Sequence, residues 1–227
     1  MPRDSLAGLT REITVCRACP RLVDWREHVA REKRASFRDD EYWGRPVPGF
    51  GDPAATLLLV GLAPAAHGGN RTGRVFTGDR SGDWLFGSLH RTGYANQPVS
   101  TTSDDGLRLR DAYVAAAVRC APPANKPTPE ERDRCLPYLA RELALLERVR
   151  VIVVLGGFAY DALWRTLALG DVPLPTPRPR FGHGAEVATP RATVLCSYHP
   201  SQQNTFTGKL TEPMLDAIFE RARELSG

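Results

Sequence analysis

Residues 55–74 read ATLLLVGLAPAAHGGNRTGR. The stretch begins with an apolar run of strand length, residues 55–62, and continues as a loop rich in glycine and alanine. A continuous short apolar run is typical of a strand that is buried on both faces of its sheet. The stretch therefore predicts a buried strand that ends in a glycine-rich loop.

Three further apolar runs follow along the chain: YVAAAVRC at 113–120, VRVIVVLG at 149–156 and ATVLCSYH at 192–199. Amphipathic stretches predict helices at 82–92, 128–148, 157–169 and 211–225. Thr128 and Thr211 are predicted to cap two of these helices, each with a proline close behind. Strands that alternate with helices predict an α/β fold, a three-layer α/β/α sandwich around a central, mainly parallel four-stranded sheet.

The composition is that of one globular domain. The chain has 227 residues, of which 42% are hydrophobic and 25% charged, with a net charge of +4. These values exclude a mainly disordered chain, a collagen-like repeat and a disulfide-dense miniprotein, and the charge alone is a poor argument for nucleic-acid binding. We expect residues 1–227 to form a single domain, with residues 1–50 as an N-terminal extension wrapped on it and 171–191 as a proline- and glycine-rich loop.

The expected location is the cytoplasm. No apolar run approaches the roughly 20 residues that a membrane span needs, and the first ten residues, MPRDSLAGLT, lack the apolar core of a signal peptide. We therefore expect no membrane partner. Nothing in the sequence demands more than a monomer.

Four of the five cysteines form a pattern that predicts metal binding. Cys16 and Cys19 have the two-residue spacing that lets two thiolates reach one metal, and Cys120 and Cys135 could supply a second pair. Four thiolates bind either tetrahedral zinc or an iron–sulfur cluster, and the spacing alone does not separate the two. Cys196 lies within an apolar run and is expected to be a buried, inert thiol.

Polar loops follow three of the predicted strands. They are GLAPAAHGGNRTGR at 61–74 with VFTGD at 75–79, then APPANKP at 121–127, and YHPSQQNT at 198–205. The first lacks the Gly-Lys-Ser/Thr ending of a phosphate-binding loop and the G-x-G-x-x-G of a dinucleotide site. Since the carboxyl ends of parallel strands share one edge of the sheet, the three loops predict a binding pocket there.

The three loops also carry a family resemblance. GLAPAAHGGNRTGR with FTGD, CAPPANKPTPEE and YHPSQQNT resemble the motifs of the uracil-DNA glycosylase superfamily, and within it family 5, the iron–sulfur-containing enzymes. The cysteine spacing resembles the cluster ligands of families 4 and 5, and the likeness runs from about residue 10 to 215. It implies a [4Fe-4S] cluster on the four cysteines named above, with zinc as the alternative. It also implies DNA containing uracil or another deaminated base as the partner.

The resemblance implies three catalytic residues. Asp79 would orient the attacking water and offset the positive charge of the sugar, and His199 would donate a hydrogen bond to the carbonyl oxygen of the departing base. Asn125 would contact the base or the water. Each residue also has a purely structural interpretation: a turn residue for Asp79, a loop cap for His199 and the start of a turn for Asn125.

Other residues would contact the flipped nucleotide. Phe76 would stack on the base, although core packing is a serious alternative for it, and the 200–206 loop would press into the duplex as a wedge. Arg71 and Arg74 would bind phosphate or solvate the loop. Family 5 lacks the polar water-activating residue of other families, with which Ala65 agrees. The expected substrate-binding residues are Gly61, Leu62, Ala63, Pro64, Ala65, His67, Phe76 and Asn204.

These expectations describe a hydrolase for DNA repair. A monofunctional glycosylase would flip the damaged base, hydrolyse its N-glycosidic bond and leave an abasic site. The alternatives are a damaged-DNA-binding protein, non-catalytic or covalently trapping, with the same pocket, and a zinc-bearing α/β protein of unrelated function. The range of bases, which could include hypoxanthine and xanthine, stays open.

Overall fold

The computed structural model describes residues 4–170 and 173–227. Within these ranges, six strands form one sheet in the order β1-β3-β2-β4-β6-β5. The four central strands run parallel to one another, and the two edge strands are antiparallel to their neighbours. The strands are β1 (Phe50–Gly51), β2 (Leu57–Gly61), β3 (Ala112–Ala116), β4 (Val151–Leu155), β5 (Glu186–Ala188) and β6 (Thr193–Ser197).

The helices of the described residues lie before, between and after these strands. Short 3-10 turns occur at Ala35–Phe37 and Pro123–Asn125. None of the helices described is long and apolar enough to cross a membrane. The helices are α1 (Leu6–Thr14), α2 (Pro20–Glu32), α3 (Gly69–Thr72), α4 (Arg80–Arg91), α5 (Pro129–Leu145), α6 (Gly157–Ala168), α7 (Gln202–Phe206) and α8 (Glu212–Ser226).

The sheet is covered on both faces, because its central strands are apolar on both. Leu57 and Leu59 of β2 point into a core that includes side chains of α4 and α8. Leu58 and Val60 alternate with them and point into the opposite core, which includes side chains of α5 and α6. The structure therefore confirms the predicted α/β sandwich and its four parallel strands, and adds one short strand at each edge.

The predicted helices begin and end close to where the structure has them, because their caps are encoded locally. Thr128 and Glu131 form a complete capping box at α5. The side chain of Thr211 accepts a hydrogen bond from the backbone N–H of Met214 at the start of α8. Part of the 171–191 loop forms β5, and the loop's residues 171 and 172 lie outside the described residues.

This topology brings the polar loops to one edge of the sheet. Parallel strands β3, β2, β4 and β6 all end at the same edge, here named the carboxyl edge. The glycine-rich loop, residues 61–74, leaves this edge from β2, and residues 198–205 leave it from β6. The carboxyl edge is therefore the place where the predicted site residues can meet.

Candidate active site

Asp79 caps the helix that follows the glycine-rich loop. Its Oδ1 accepts a hydrogen bond of 3.0 Å from the backbone N–H of Gly82, in the first turn of α4. Its Oδ2 lies against Gly68, where an added Cβ would come within 2.2 Å of it. Burial raises the pKa of Asp79, while the backbone N–H groups of Gly82 and Ser81 lower it in part. The carboxylate is therefore held by the backbone at one oxygen and packed against the loop at the other.

Phe76 lies in an unusual backbone conformation next to two glycines. Its φ is 53°, in the left-handed region that non-glycine residues rarely adopt. A Cβ on Gly61 would meet the Phe76 ring at 2.7 Å, and a Cβ on Gly82 would meet its carbonyl oxygen at 1.8 Å. The ring belongs to the core beneath the sheet and also lies 5.8 Å from the ring of His199, centroid to centroid. Phe76 thus joins the glycine-rich loop to the end of β6.

Asn204 and Gly156 contact the backbone and the Cβ of His199 and restrict its position. The side-chain amide of Asn204 donates a hydrogen bond of 2.8 Å to the carbonyl oxygen of His199. Gly156, after β4, faces the Cβ of His199 at a distance that leaves little room for a side chain. Burial lowers the pKa of His199 to about 4, so the imidazole is neutral near pH 7. A neutral imidazole can donate one hydrogen bond without transferring a proton.

His67 contacts the N-terminal extension. The hydroxyl of Tyr42 and the Nδ1 of His67 are 3.0 Å apart, within hydrogen-bond distance. The Arg71 guanidinium donates to the carbonyl oxygen of His67 at 2.9 Å and pairs with Asp40 at 2.6 Å. Burial, with the charges of Arg34 and Arg71, lowers the pKa of His67. The extension therefore supplies groups that fix this part of the loop.

The two loop arginines bond within the protein. Arg71 is engaged as described, and Arg74 is buried in an ion pair of 2.7 Å with Asp105. Arg74 also donates to Ser100 at 2.7 Å and to Thr77 at 3.0 Å. In this structure both side chains hold the loop in shape. The sequence predicted only phosphate binding or solvation of the loop.

Asn125 and the remaining predicted binding residues take no part in the hydrogen bonds described so far. Asn125 is exposed, with a φ of 56°, and forms no hydrogen bond to Asp79 or His199. Ala63 packs against the cluster of apolar side chains that includes Cys19 and Cys120. The remaining members of the predicted set lie between the end of β2 and the start of α3: Leu62, Pro64 and Ala65.

The four predicted ligand cysteines line a single cavity, here named the four-cysteine cavity. Cys19, Cys120 and Cys135 are buried, and Cys16 is half-buried. Burial raises the pKa of the Cys120 thiol to about 12 and that of Cys135 to about 11. Among the described residues, no group of three or more His, Cys, Asp or Glu side chains is arranged to hold a metal ion. Cys196 is buried in the core, as the sequence predicts.

A buried cation faces this cavity. The Nη1 of Arg26, on α2, donates a hydrogen bond of 2.9 Å to the Sγ of Cys120, and the Arg26 side chain is buried. Its Nε has no hydrogen-bond partner among the described residues. Buried charges are normally paired with opposite charges. The donor set and this cation both fit an anionic group that is held by thiolates.

Sequence reasoning missed the residues that support the site. Tyr42 and Arg26 make the contacts just described but belong to none of the motifs, and Gly68 belongs to the first motif without having been assigned a role. The double glycine at 68 and 69 was a usable signal, because glycine is needed wherever another side chain approaches the backbone closely. Nothing in the sequence pattern points to Tyr42 or Arg26.

Comparison with known families agrees with this geometry. The family model described as the uracil DNA glycosylase superfamily matches residues 48–223. This range covers most of the chain, including the glycine-rich loop, Asp79 and the loop that carries His199. The chain therefore belongs to the uracil-DNA glycosylase superfamily.

Individual relatives point to one branch of that superfamily. A type-5 uracil-DNA glycosylase of Thermus thermophilus is 52% identical over 221 residues, covering 97% of this chain and 98% of the relative. One of Mycobacterium bovis is 54% identical over 225 residues, covering 98% of this chain and 82% of the relative. A type-4 uracil-DNA glycosylase of Archaeoglobus fulgidus is 30% identical over 227 residues, covering 99% of this chain and 94% of the relative.

Proposed function

We propose that this chain is a uracil-DNA glycosylase of the type-5 branch, which hydrolyses the N-glycosidic bond of uracil in DNA and leaves an abasic site. The observation that carries the proposal is the carboxylate of Asp79. It is fixed at the carboxyl edge by backbone groups and has a raised pKa, as functional acids and bases often have. The full-length similarity to type-5 enzymes supports the same activity.

Asp79 acts on the sugar side of the bond. The departing base takes the bonding electrons, so the sugar develops positive charge while water attacks it. An ionised carboxylate offsets that charge and accepts a hydrogen bond from the water. The N-terminus of α4 stabilises the ionised form, and the bond from Gly82 fixes the direction of the second oxygen.

His199 acts on the base side. The base leaves with negative charge on its ring and carbonyl oxygens, and a preorganised donor stabilises that charge. His199 is neutral at pH 7 and its backbone is fixed by Asn204, so its imidazole can donate such a bond. Phe76, whose ring lies beside that of His199, would stack on the extruded base. Asn125 would join the base or the water once DNA is bound.

The expected wedge segment presents an exposed aromatic ring. Phe206, at the end of α7, is 68% exposed, and the Arg80 guanidinium lies 5.3 Å from its ring centroid. Arg80 directly follows Asp79 in the chain, so this ring lies beside the candidate site. An apolar side chain there can enter the space that a flipped nucleotide leaves, while the guanidinium meets phosphate.

The four-cysteine cavity would hold a [4Fe-4S] cluster on Cys16, Cys19, Cys120 and Cys135. The four thiols line one cavity, as a cluster or zinc would require, and the resemblance to iron–sulfur enzymes favours the cluster. When bound, the cluster would join the N-terminal extension to the segment after β3, through Cys120, and to α5, through Cys135. The chemistry at Asp79 proceeds without a redox step.

The proposed enzyme acts on several deaminated bases and does not nick the DNA strand. We propose uracil as the main substrate and other deaminated bases, such as hypoxanthine and xanthine, as further ones. The motifs contain one lysine, Lys126, and it is exposed, so Schiff-base chemistry that nicks the strand is not expected. The proposed enzyme works as a monomer in the cytoplasm.

The test is excision from duplex oligonucleotides that carry a single uracil, hypoxanthine or xanthine, with alkali used to reveal abasic sites. Asp79→Asn is the decisive variant, because asparagine caps helices as well as aspartate does but carries no charge. Asp104→Asn, at an exposed aspartate outside the candidate site, is the matched control.

We expect the single-turnover rate of Asp79→Asn to be about 10²–10⁴-fold lower than that of wild type, the usual contribution of a catalytic acid or base. The Asp104→Asn rate should equal that of wild type. If folded wild-type protein binds uracil-containing DNA but cleaves none of the three substrates, the protein is a damage-binding or trapping protein and not a glycosylase.

A further inference from the structure

Arg26 carries a buried positive charge that no carboxylate of the described residues neutralises fully. Its side chain is 3% exposed, and the Glu27 oxygen recorded beside it is 3.9 Å away and already paired with Arg17. By contrast, its Nη1 lies 2.9 Å from the Cys120 Sγ, and its Nη2 donates to the carbonyl oxygen of Cys16 at 3.2 Å. The guanidinium is therefore directed at the four-cysteine cavity.

A second buried arginine beside the cavity shows the contrast. Arg119 directly precedes Cys120 and is fully buried, but it forms an ion pair with Glu142, which is equally buried. The Nη1 of Arg119 donates to the Oε1 of Glu142 at 3.0 Å. Arg134 also lines the cavity, but it is exposed to solvent and donates to the carbonyl oxygen of Ala18. Since Arg119 is neutralised within the protein, the buried charge that stays uncompensated at the cavity belongs to Arg26.

The backbone of Arg26 makes a contact in the opposite direction. Its carbonyl oxygen accepts a hydrogen bond of 3.2 Å from the side-chain amide of Asn70, which is fully buried in α3. The backbone N–H of Asn70 donates to Ala65, and its carbonyl oxygen accepts from Gly44, both at 3.0 Å. Asn70 therefore ties α2 to the glycine-rich loop.

The same loop packs on the candidate catalytic carboxylate. Gly68, two residues before Asn70, lies against the Oδ2 of Asp79 so closely that a Cβ would not fit. A shift of α3 would therefore change the space around Asp79. Hydrogen bonds run from Cys120 to Arg26 and from Arg26 to Asn70, the chain itself connects Asn70 to Gly68, and Gly68 packs against Asp79.

We propose that Arg26 and Asn70 form a mechanical link through which the group held in the four-cysteine cavity sets the position of the glycine-rich loop around Asp79. The proposal rests on the proposed cluster. Arg26 neutralises the negative charge of the cluster and its thiolates, and Asn70 transmits the resulting position of α2 to the loop. Both are positioning residues, because neither touches the reacting atoms.

Four variants separate the two halves of the link. Arg26→Met removes the charge, and Arg26→Lys keeps the charge but loses the fork of donors. Asn70→Ala removes the amide that reaches α2. Arg31→Met, an exposed position on the same helix, is the matched control for loss of one arginine.

Iron content, the rate of iron release to a chelator and hydrogen exchange of residues 62–78 are measured on each protein as isolated. Arg26→Met should release iron about 10- to 100-fold faster than wild type, as expected for loss of a group that supports metal ligands. Arg26→Lys should lie between the two. Arg31→Met should match wild type in all measurements.

Asn70→Ala should retain iron at the wild-type rate but exchange faster over residues 62–78. It should also excise uracil more slowly, by up to about 10²-fold, because small misplacements of reacting groups have effects of that size. Removal of iron from wild type should raise exchange in the same segment. Removal of iron from Asn70→Ala should add little, because the link is already broken.

Two results would overturn the link: wild-type iron release in folded Arg26→Met, or an equal response of the loop to iron removal in wild type and Asn70→Ala. If Arg26→Met does not fold, Arg26→Lys decides the first point. Failure of the underlying proposal looks different, since wild-type protein purified without oxygen would then contain no iron. Loss of excision in every preparation, with iron retained and the loop responding as described, would count against the glycosylase proposal and not against the link.

Discussion

The carboxyl edge of the sheet and the four-cysteine cavity both bury groups that can ionise, but they balance charge differently. At the edge, the backbone N–H of Gly82 holds Asp79, and burial keeps His199 neutral at pH 7. In the cavity, burial raises the pKa values of Cys120 and Cys135, and the buried Arg26 faces thiols.

The difference shows where each site gets its electrostatic balance. The carboxyl edge contains its own donors and its own helix N-terminus, so its charges are balanced by groups of the polypeptide. The cavity combines a buried cation with thiols that ionise readily only when they bind a metal. We therefore assign bond cleavage to the carboxyl edge and structural support to the cavity, and the predictions below test that division.

After Asp79→Asn, the largest effect on excision is expected from His199→Ala. The excision rate should fall by about 10²–10³-fold, the usual loss when one donor to a developing negative charge is removed. Iron content should stay at the wild-type level, because His199 makes no contact with the cavity. The measurement is the single-turnover rate with iron analysis of the same sample, and His90→Ala, exposed at the end of α4, is the control. Loss of iron in His199→Ala would contradict the proposed division of roles between the carboxyl edge and the four-cysteine cavity.

The next largest effect on excision is expected from a substitution in the glycine-rich loop. Gly68→Ala forces a Cβ against the Oδ2 of Asp79, and a displacement of that carboxylate should slow excision by about 10²-fold. Gly182→Ala is the control, because a Cβ there would meet nothing within 4 Å. The single-turnover rates of both variants are compared with wild type. A wild-type rate in folded Gly68→Ala would show that this close packing does not position Asp79.

The parallel strands and the edge strands show how far the sequence could predict the structure. The four parallel strands were predictable because strands buried on both faces are continuous apolar runs. The motifs also predicted that polar loops follow three of these strands, and the structure has such loops at the carboxyl edge. The edge strands Phe50–Gly51 and Glu186–Ala188 were not, because two or three residues form no recognisable run.

Helix α2 and its contacts could not be predicted either. Its sequence, PRLVDWREHVARE, is highly charged, and a buried arginine within it looks the same as an exposed one. The partners of Arg26, on Cys120 and Asn70, are 94 and 44 residues away. Contacts of that kind depend on tertiary packing, which no local pattern encodes.

The stability of the protein should depend on pH through His199. Its pKa is lowered from about 6.5 in the unfolded chain to about 4 in the folded protein, so the unfolded state binds the proton more readily. This contribution is complete above pH 6.5 and is lost as the pH falls toward 4, by at most about 3 kcal/mol. Urea unfolding of wild type and His199→Gln over this range measures it. Equal pH slopes for the two proteins would contradict the burial of a neutral imidazole.

The smallest effect is expected at the proposed wedge. Phe206→Ala should weaken binding to uracil-containing duplex by about 1–3 kcal/mol, the usual contribution of an aromatic ring that stacks on a base. Leu169→Ala is the control, since that side chain is also exposed but follows α6, which runs from the carboxyl edge back toward the opposite edge. Fluorescence anisotropy gives both affinities. Equal affinity for wild type and Phe206→Ala would remove the ring from the DNA surface.

The most direct test of the division between the two regions is one paired measurement on Asp79→Asn and Cys16→Ser. Excision of uracil under single-turnover conditions, iron content and melting temperature are determined on the same preparations. We predict that Asp79→Asn keeps its iron and its melting temperature but loses excision. Cys16→Ser should lose iron and melt at a lower temperature, while its folded fraction excises faster than Asp79→Asn. Wild-type excision by Asp79→Asn would contradict the assignment of bond cleavage to the carboxyl edge.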